Sequence, residues 1–182
     1  AVTEKSPITQ RSERLPNSGE ATEFVDLVLK GSGLSHQLKF VPWRRGYHLA
    51  RSTENLLIYP LARTPSREKH FQWVGKIIPI DYYLFKLKRR NDVKVTSLES
   101  SKGYRIGVVN YHAHHEFLIS SGFTNLQAVN SNSQNLKKLL LDRIDLCPVS
   151  LGGASALCKN IDVTCDQLEP VFTLESISGG FY

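Results

Sequence analysis

The stretch FVPWRRGYHLARSTENLLIYPLARTPSREKHFQWVG, residues 40–75, decides the fold. Residues 55–61, NLLIYPL, form a continuous apolar run of the kind found in buried parallel strands. A helix is predicted to start next, because Thr64 is a favourable N-cap and Pro65 suits the first helical position. Arg67 then places a guanidinium beside the positive N-terminus of that helix. This pattern indicates an anion-binding site at the end of a strand.

Strands and helices alternate on both sides of this stretch. The apolar patterns predict strands over residues 38–43, 55–61, 105–110, 126–131 and 146–151. They predict helices over residues 20–31, 44–52, 97–104, 113–123 and 134–145, with Ser133 as the N-cap of the last helix. Two helices have apolar faces that we expect in the core, formed by Phe24, Val25, Val28 and Leu29 and by Leu136, Leu139, Leu140 and Ile144. Such alternation predicts an α/β fold with parallel sheets in two lobes.

The composition limits the classes of function. Of 182 residues, 41% are hydrophobic and 22% are charged, which is enough to bury a core. The net charge of +6 comes from dispersed basic residues, so we interpret it as a contribution to solubility and expect no nucleic-acid partner. The sequence has no apolar run of the roughly 20 residues that a membrane span requires. We interpret its first residues, AVTEKSPITQ, as a mature end after signal-peptide removal.

Three cysteines, Cys147, Cys158 and Cys165, lack the paired spacing of a zinc site. The segment KNIDVT separates Cys158 from Cys165, and a disulfide between them is expected if the compartment is oxidising. Three buried thiols are an equally good prediction at this point.

Four short motifs occur in a characteristic order. They are Pro-Trp-Arg at 42–44, Thr-x-x-Arg at 64–67, Gly-x-x-x-Gly-Val at 103–108 and Arg-Ile-Asp at 143–145. Together they resemble the family 3 bacterial extracytoplasmic solute-binding proteins, which are the amino-acid-binding components of ABC importers. The resemblance covers roughly residues 19–182. It implies an α/β fold of the two-lobe, type 2 periplasmic-binding-protein kind, in which each lobe is a mixed, mostly parallel sheet flanked by helices.

The resemblance also implies a division of the chain. Lobe 1 is expected over residues 1–83 and lobe 2 over residues 84–182, with hinge strands near 80–88 and 176–182. Family members usually continue into helices that complete the first lobe, whereas this sequence ends at Tyr182. Lobe 1 is therefore expected to lack the usual C-terminal part, and the apolar surface left exposed would favour a homodimer.

The Thr-x-x-Arg motif implies that Arg67, together with Thr64, clamps the carboxylate of a ligand. A guanidinium suits this role because its planar fork matches both oxygens of a carboxylate. In the alternative interpretation, Arg67 pairs with a surface acid such as Glu68 or Asp81. The other predicted ligand-binding residues are Ala62, Trp43, Tyr111, His112 and Ser150.

Two departures from the family pattern concern the ligand. The strand RIGVV continues into Asn110, Tyr111 and His112, where the family often has Gly-Thr or Gly-Ser. The segment LCPVSLGG has no acid near Ser150, where the family tends to hold the ammonium group of the ligand. A carboxylate without an ammonium group is therefore as good a prediction as an amino acid.

The implied function is a periplasmic receptor that binds a small amino acid or carboxylate between its lobes. Neither a cofactor nor a metal is expected, and the partner is an inner-membrane ABC permease or a sensor protein. His112, His114 and His115, with Glu116, are interpreted as solvent-facing residues that would make binding pH-dependent between about pH 5 and 8 if they line the cleft. Two alternatives stay open: an enzyme resembling a cyclic carboxylate dehydratase, with His112 or Glu4 as acid or base, and a degenerate lobe pair that binds another protein.

Overall fold

The chain divides into two structural units. The computed structural model describes the residue ranges 1–6, 8–9, 19–177 and 179–182. Unit 1 contains residues 1–79 and 180–182, and unit 2 contains residues 80–179. Residues 80–83, which the sequence assigned to the first lobe, therefore belong to unit 2. The last three residues, which it assigned to the second lobe, belong to unit 1.

The described residues of unit 1 form two short strands and two helices: β1 (Val2–Thr3), α1 (Glu20–Gly31), β2 (Lys39–Phe40) and α2 (Trp43–Ser52). A 3-10 helix follows over Glu68–His70. The two strands pair in parallel. The helices predicted over 20–31 and 44–52 are confirmed. The strand predicted over 38–43 is confirmed only in its first half, because Trp43 begins α2.

The prediction of a strand over residues 55–61 is wrong, because these residues form no regular strand. Ile58 forms a single parallel bridge with Val2, and the Tyr59 N–H donates to the Val2 carbonyl at 3.2 Å. The next N–H that would face β1 is that of Leu61, and it donates instead to the Tyr182 carbonyl at 2.7 Å. The apolar run is thus an extended segment with one bridge beside β1.

The predicted apolar face of α1 is buried only in part. Val25 packs with Ala21 against Tyr59, in a stripe of residues four apart. Phe24 and Val28 are 47% and 45% exposed. Both lie to one side of the buried stripe: at 3.6 residues per turn, Phe24 is about 100° and Val28 about 60° from Val25 around the helix axis.

The last three residues of the chain are paired within unit 1. Leu61 and Tyr182 exchange two backbone hydrogen bonds, of 2.7 and 2.9 Å. Phe181 donates its N–H to the Ile78 carbonyl and accepts from the Ile77 N–H, both at 2.8 Å. These bonds explain why the C-terminal residues belong with unit 1 although they follow unit 2 in sequence.

Unit 2 contains five strands and three helices in the described part of the chain: β3 (Tyr83–Leu87), β4 (Ile106–Val109), α3 (Ala113–Ser120), β5 (Leu126–Val129), α4 (Asn132–Leu140), β6 (Cys147–Val149), α5 (Leu151–Asn160) and β7 (Leu168–Thr173). It also contains 3-10 helices over Glu99–Gly103, Cys165–Gln167 and Glu175–Ile177. The strands and helices predicted in this half are confirmed, except that residues 97–104 form a 3-10 helix.

The sheets of unit 2 are mixed. β4 and β5 pair in parallel, and a parallel bridge joins Ile106 to Leu146 just before β6. β3 lies between β6 and β7 and is antiparallel to both. With the parallel pair of unit 1, this arrangement confirms the predicted α/β class.

The core of unit 2 forms where α4 and α5 pack against the strands. Leu136, Leu139 and Ile144 are buried and Leu140 is partly buried, as the apolar pattern predicted. The N-cap of α4 is Ser131 and not Ser133. The Ser131 hydroxyl accepts from the Gln134 N–H at 3.4 Å, and the Gln134 side chain accepts from the Ser131 N–H at 3.2 Å, which completes a capping box.

Asp145 fixes the turn that follows α4. Its carboxylate accepts from the backbone N–H of Arg105 at 2.9 Å and from the Arg105 guanidinium at 2.7 and 2.9 Å. The guanidinium of Arg90 lies 3.1 Å away. Hydrogen bonding by Arg105 is the main cause that lowers the pKa of Asp145 to about 2. The carboxylate therefore joins the starts of β4 and β6 through charged hydrogen bonds.

The three cysteines have two different states. Cys158, in α5, and Cys165, at the following 3-10 helix, form a disulfide with their Cα atoms 5.5 Å apart. Cys147 is a free, buried thiol in β6, and burial raises its pKa to about 12. The structure thus selects the disulfide over three buried thiols.

Candidate functional site

The segment that carries Thr64 and Arg67 forms a turn in unit 1. The buried Thr64 offers its carbonyl to the N–H groups of Arg67, at 3.0 Å, and Glu68, at 3.1 Å. A 3-10 helix of three residues follows the turn, so the expected longer helix is absent from this described segment. The predicted helix start is a tight turn that orients Arg67.

Arg67 is buried, with an exposed fraction of only 1%. Its Nη1 donates to the Ala62 carbonyl at 3.2 Å, and its guanidinium carbon lies 5.1 Å from the ring centroid of Tyr47. The backbone at Ala62 and the aromatic face in α2 therefore fix the plane of the guanidinium. Three of the predicted residues, Ala62, Thr64 and Arg67, lie together here.

Arg63 lies in a different environment from Arg67. Its guanidinium forms an ion pair with Glu68 on the surface and lies over the rings of Trp73 and Tyr182, at 5.3 and 5.4 Å. Hydrogen bonding by Arg63 lowers the pKa of Glu68. The acid that the sequence offered as an alternative partner for Arg67 is thus paired with Arg63.

Trp43 is the first residue of α2 and is buried, with its ring 6.1 Å from that of Tyr47. Tyr47 therefore connects Trp43 to Arg67. The sequence analysis did not identify Tyr47 as a site residue. Its position four residues after Trp43 on one helix was the signal that it shares a face with the predicted tryptophan.

Tyr111 and His112 are consecutive in the connection between β4 and α3 of unit 2. Tyr111 has a left-handed backbone with φ of 63°, and His112 is the N-cap of α3. The His112 carbonyl accepts from the N–H groups of His115 and Glu116, at 3.0 and 3.1 Å. Both predicted residues are half-buried.

The histidines of α3 do not all face solvent, contrary to expectation. His114 is completely buried, and its ring meets that of Tyr82 edge-on at 5.7 Å. His115 is half-buried, and burial is the main cause that lowers its pKa. The sequence pattern did not reveal this burial, because α3 packs on β4 and Tyr82 comes from a segment some thirty residues earlier.

Ser150 is the N-cap of α5. Its hydroxyl accepts from the Gly153 N–H at 3.1 Å. A side chain at position 153 would approach this hydroxyl to 2.9 Å, so glycine permits the close contact. The Ser150 hydroxyl still has its own proton, which it can donate to an acceptor on a ligand.

A concave surface of about 600 Å³ lies elsewhere in unit 2. Tyr83, Leu98, Phe117 and residues 170–175 line it. Among the residues that the structure describes, this lining includes none of the seven predicted site residues. Glu4, a candidate acid or base, belongs to unit 1, whereas His112 belongs to unit 2.

In the ranges that the structure describes, no three His, Cys, Asp or Glu residues form a group that could hold a metal ion. Over the same ranges, the helices are too short or too polar for any of them to cross a membrane.

No family model matches the chain, and no curated protein matches its sequence. Solved structures do share its fold. A histidine kinase sensor domain with similarity to periplasmic binding proteins has a TM-score of 0.82 at 13% identity, covering 99% of this chain and 79% of its own. An ancestral arginine-binding protein bound to arginine has a TM-score of 0.77 at 16% identity, covering 100% and 80%.

A third similar structure is the arginine-, lysine-, histidine-binding protein ArtJ from Geobacillus stearothermophilus. Its TM-score is 0.78 at 16% identity, and the match covers 100% of this chain and 78% of that protein. These similarities span nearly the whole chain. They confirm a periplasmic-binding-protein-like fold.

Proposed function

We propose that this protein binds a small amino acid or carboxylate and that Arg67 binds the carboxylate group. The observation that carries the proposal is the buried guanidinium of Arg67, which the Ala62 carbonyl and the Tyr47 ring hold in a fixed plane beside Thr64. A fixed planar fork favours a carboxylate over other small groups. The fold, shared with proteins named for amino-acid binding, supports the same function.

Burial of Arg67 has consequences for binding. A carboxylate in contact with this guanidinium would be shielded from water, which strengthens their electrostatic attraction. Because solvent does not reach Arg67 in the conformation described, ligand entry requires a movement that exposes it. The hinge strands expected near residues 80–88 and 176–182 stay a prediction.

The remaining predicted residues have supporting roles in this proposal. Thr64 shapes the turn at Arg67, and Trp43 supports Tyr47. In unit 2, Tyr111, His112 and Ser150 are proposed to donate hydrogen bonds to the ligand. The segment around Ser150 offers no acid for an ammonium group, so carboxylates without an amino group belong in the set of candidate ligands.

We further propose a periplasmic location and a role in family 3 type ABC import or in sensing. The Cys158–Cys165 disulfide supports an oxidising compartment. The name of one similar structure, a histidine kinase sensor domain, supports a sensor protein as the partner. An ABC permease is the partner that the family resemblance implies. The names of the similar structures refer to binding and sensing, which favours a receptor over the dehydratase-like enzyme. The homodimer expected from the sequence stays a prediction.

A thermal-shift panel of the common amino acids and of small carboxylates tests this function. A ligand present at a hundred times its dissociation constant stabilises the protein by roughly 2.7 kcal/mol. We expect at least one compound to raise the melting temperature of the wild type. Arg67→Lys keeps the charge but loses the planar fork, so the same compound should give little or no shift in that variant.

Arg63→Lys is the matched control, because Arg63 lies four residues away in a surface ion pair. It should retain the full ligand-induced shift. Equal shifts in the wild type and in Arg67→Lys would contradict the role of Arg67. The absence of any shift in the folded wild type would favour the degenerate, protein-binding alternative.

A further inference from the structure

Two histidine side chains hold the connection between β4 and α3. The N–H of Val109 donates to Nε2 of His114, and the N–H of Tyr111 donates to Nδ1 of His115, both at 3.3 Å. These backbone donors flank Asn110 and end at the left-handed Tyr111. The imidazoles thus bond to the backbone that leads into their own helix.

The direction of these bonds fixes the protonation state of both rings. An imidazole nitrogen accepts a hydrogen bond only when it carries no proton. His114 must therefore be neutral with its proton on Nδ1, and His115 must be neutral with its proton on Nε2. A protonated imidazole has donors at both nitrogens, so it would oppose the backbone N–H and break the bond.

The surroundings of His114 favour the neutral ring. It is completely buried, with the Tyr82 ring edge at 5.7 Å and the His112 ring at 5.2 Å between centroids. Both histidines lie in the first turn of α3, where the positive end of the helix disfavours a cation.

Some groups around His115 lower its pKa and others raise it. Burial lowers its pKa most and His112 lowers it further, whereas Glu116 raises it. The 3-10 helix that packs on α3 contributes the exposed Glu175. A neutral His115 at neutral pH is consistent with these contributions.

We propose that residues 109–115 form an acid latch, in which neutral His114 and His115 hold the β4–α3 connection and protonation releases it. The proton that each ring takes up occupies the nitrogen that accepted the backbone N–H. Val109 and Tyr111 then lose their hydrogen-bond acceptors, and the left-handed Tyr111 loses a contact that holds its conformation. This inference goes beyond the proposed function, because the latch opens with or without a ligand.

Nuclear magnetic resonance of the wild-type protein tests the latch directly. At about pH 7.5, long-range ¹H–¹⁵N spectra should show the Nδ1–H tautomer for His114 and the Nε2–H tautomer for His115. On acidification to about pH 5, the amide protection factors of Val109 and Tyr111 should fall by roughly tenfold, since each loses about one hydrogen bond. A protonated Nε2 on His114 or a protonated Nδ1 on His115 at the higher pH would overturn the proposal.

Variants separate the latch from general acid effects. His114→Gln and His115→Asn place an amide oxygen near the accepting nitrogen and do not titrate, so the double variant should keep both protection factors at low pH. The single variant His115→Asn, at a half-buried position, should keep the amide protection factor of Tyr111, but not that of Val109, at low pH. It replaces the double variant if the double variant does not fold. His36→Gln is the control, because His36 pairs with Asp26 in unit 1. This variant should show the same fall in the protection factors of Val109 and Tyr111 as the wild type. An equal fall in the wild type and the double variant would refute the latch.

Discussion

Arg63 and Arg67 show how strongly the surroundings of a single residue determine its role. Both lie on one short turn, yet Arg63 pairs with Glu68 at the surface and Arg67 is buried against Tyr47. The Thr-x-x-Arg spacing predicts a carboxylate-binding role for Arg67, and that role stays a prediction. The aromatic support of Arg67 was not predictable from that motif, because Tyr47 lies twenty residues earlier in another helix.

Asp145 permits a prediction at the same scale. Its pKa of about 2 is below the usual 3.8, so the carboxylate stabilises the fold above about pH 4 and loses this contribution as the pH falls toward 2. Asp145→Asn should lower the free energy of unfolding at pH 7 by about 2 kcal/mol, through loss of charged hydrogen bonds to Arg105. It should also weaken the decline in stability between about pH 4 and pH 2. Urea unfolding at several pH values measures both effects.

The control for this variant is Asp142→Asn. Asp142 pairs with Arg89 and Arg90 at an exposed position, where solvent screens the charges, so its loss should be smaller. Equal losses in the two variants, or an unchanged acid dependence in Asp145→Asn, would show that Asp145 does not make the contribution assigned to it.

At the scale of elements, the start of a helix is predictable when both halves of its capping box are read together. The segment Ser131-Asn132-Ser133-Gln134 offers two serines as N-caps of α4, and the prediction of Ser133 was wrong. The pairing of a serine with a glutamine three residues later was the capping-box signal for Ser131. The prediction of the buried face of α1 was only partly right for a different reason: its packing partner Tyr59 comes from a distant segment.

The cap assignment can be tested with two serine variants. Ser131→Ala should destabilise the protein by about 1 kcal/mol, because the Gln134 N–H loses its side-chain acceptor. For a domain of this size the melting temperature should fall by roughly 2–4 °C. Ser133→Ala, in the same first turn, should change stability little. A larger loss for Ser133→Ala would restore the original assignment, and calorimetry of both variants decides between them.

At the scale of the whole molecule, the alternation of strands and helices and the ordered motifs were sufficient to predict the fold class. The three solved structures described above share the fold at only 13–16% identity, so the class depends on pattern more than on individual residues. The pairing of Phe181 and Tyr182 with residues far earlier in the chain was not predictable, because local sequence patterns carry no information about such distant partners. The single Ile58 bridge in place of a strand has the same origin, because the Leu61 N–H bonds to the distant Tyr182 and not to β1.

The most direct test of the central claim compares a carboxylate with its neutral amide. The compound with the largest thermal shift in the panel and its carboxamide derivative would be titrated into the wild-type protein by calorimetry. If Arg67 binds the carboxylate in a buried site, the amide should bind at least roughly 30-fold more weakly, the equivalent of about 2 kcal/mol. Equal affinities for the two compounds would contradict a carboxylate-binding role for Arg67.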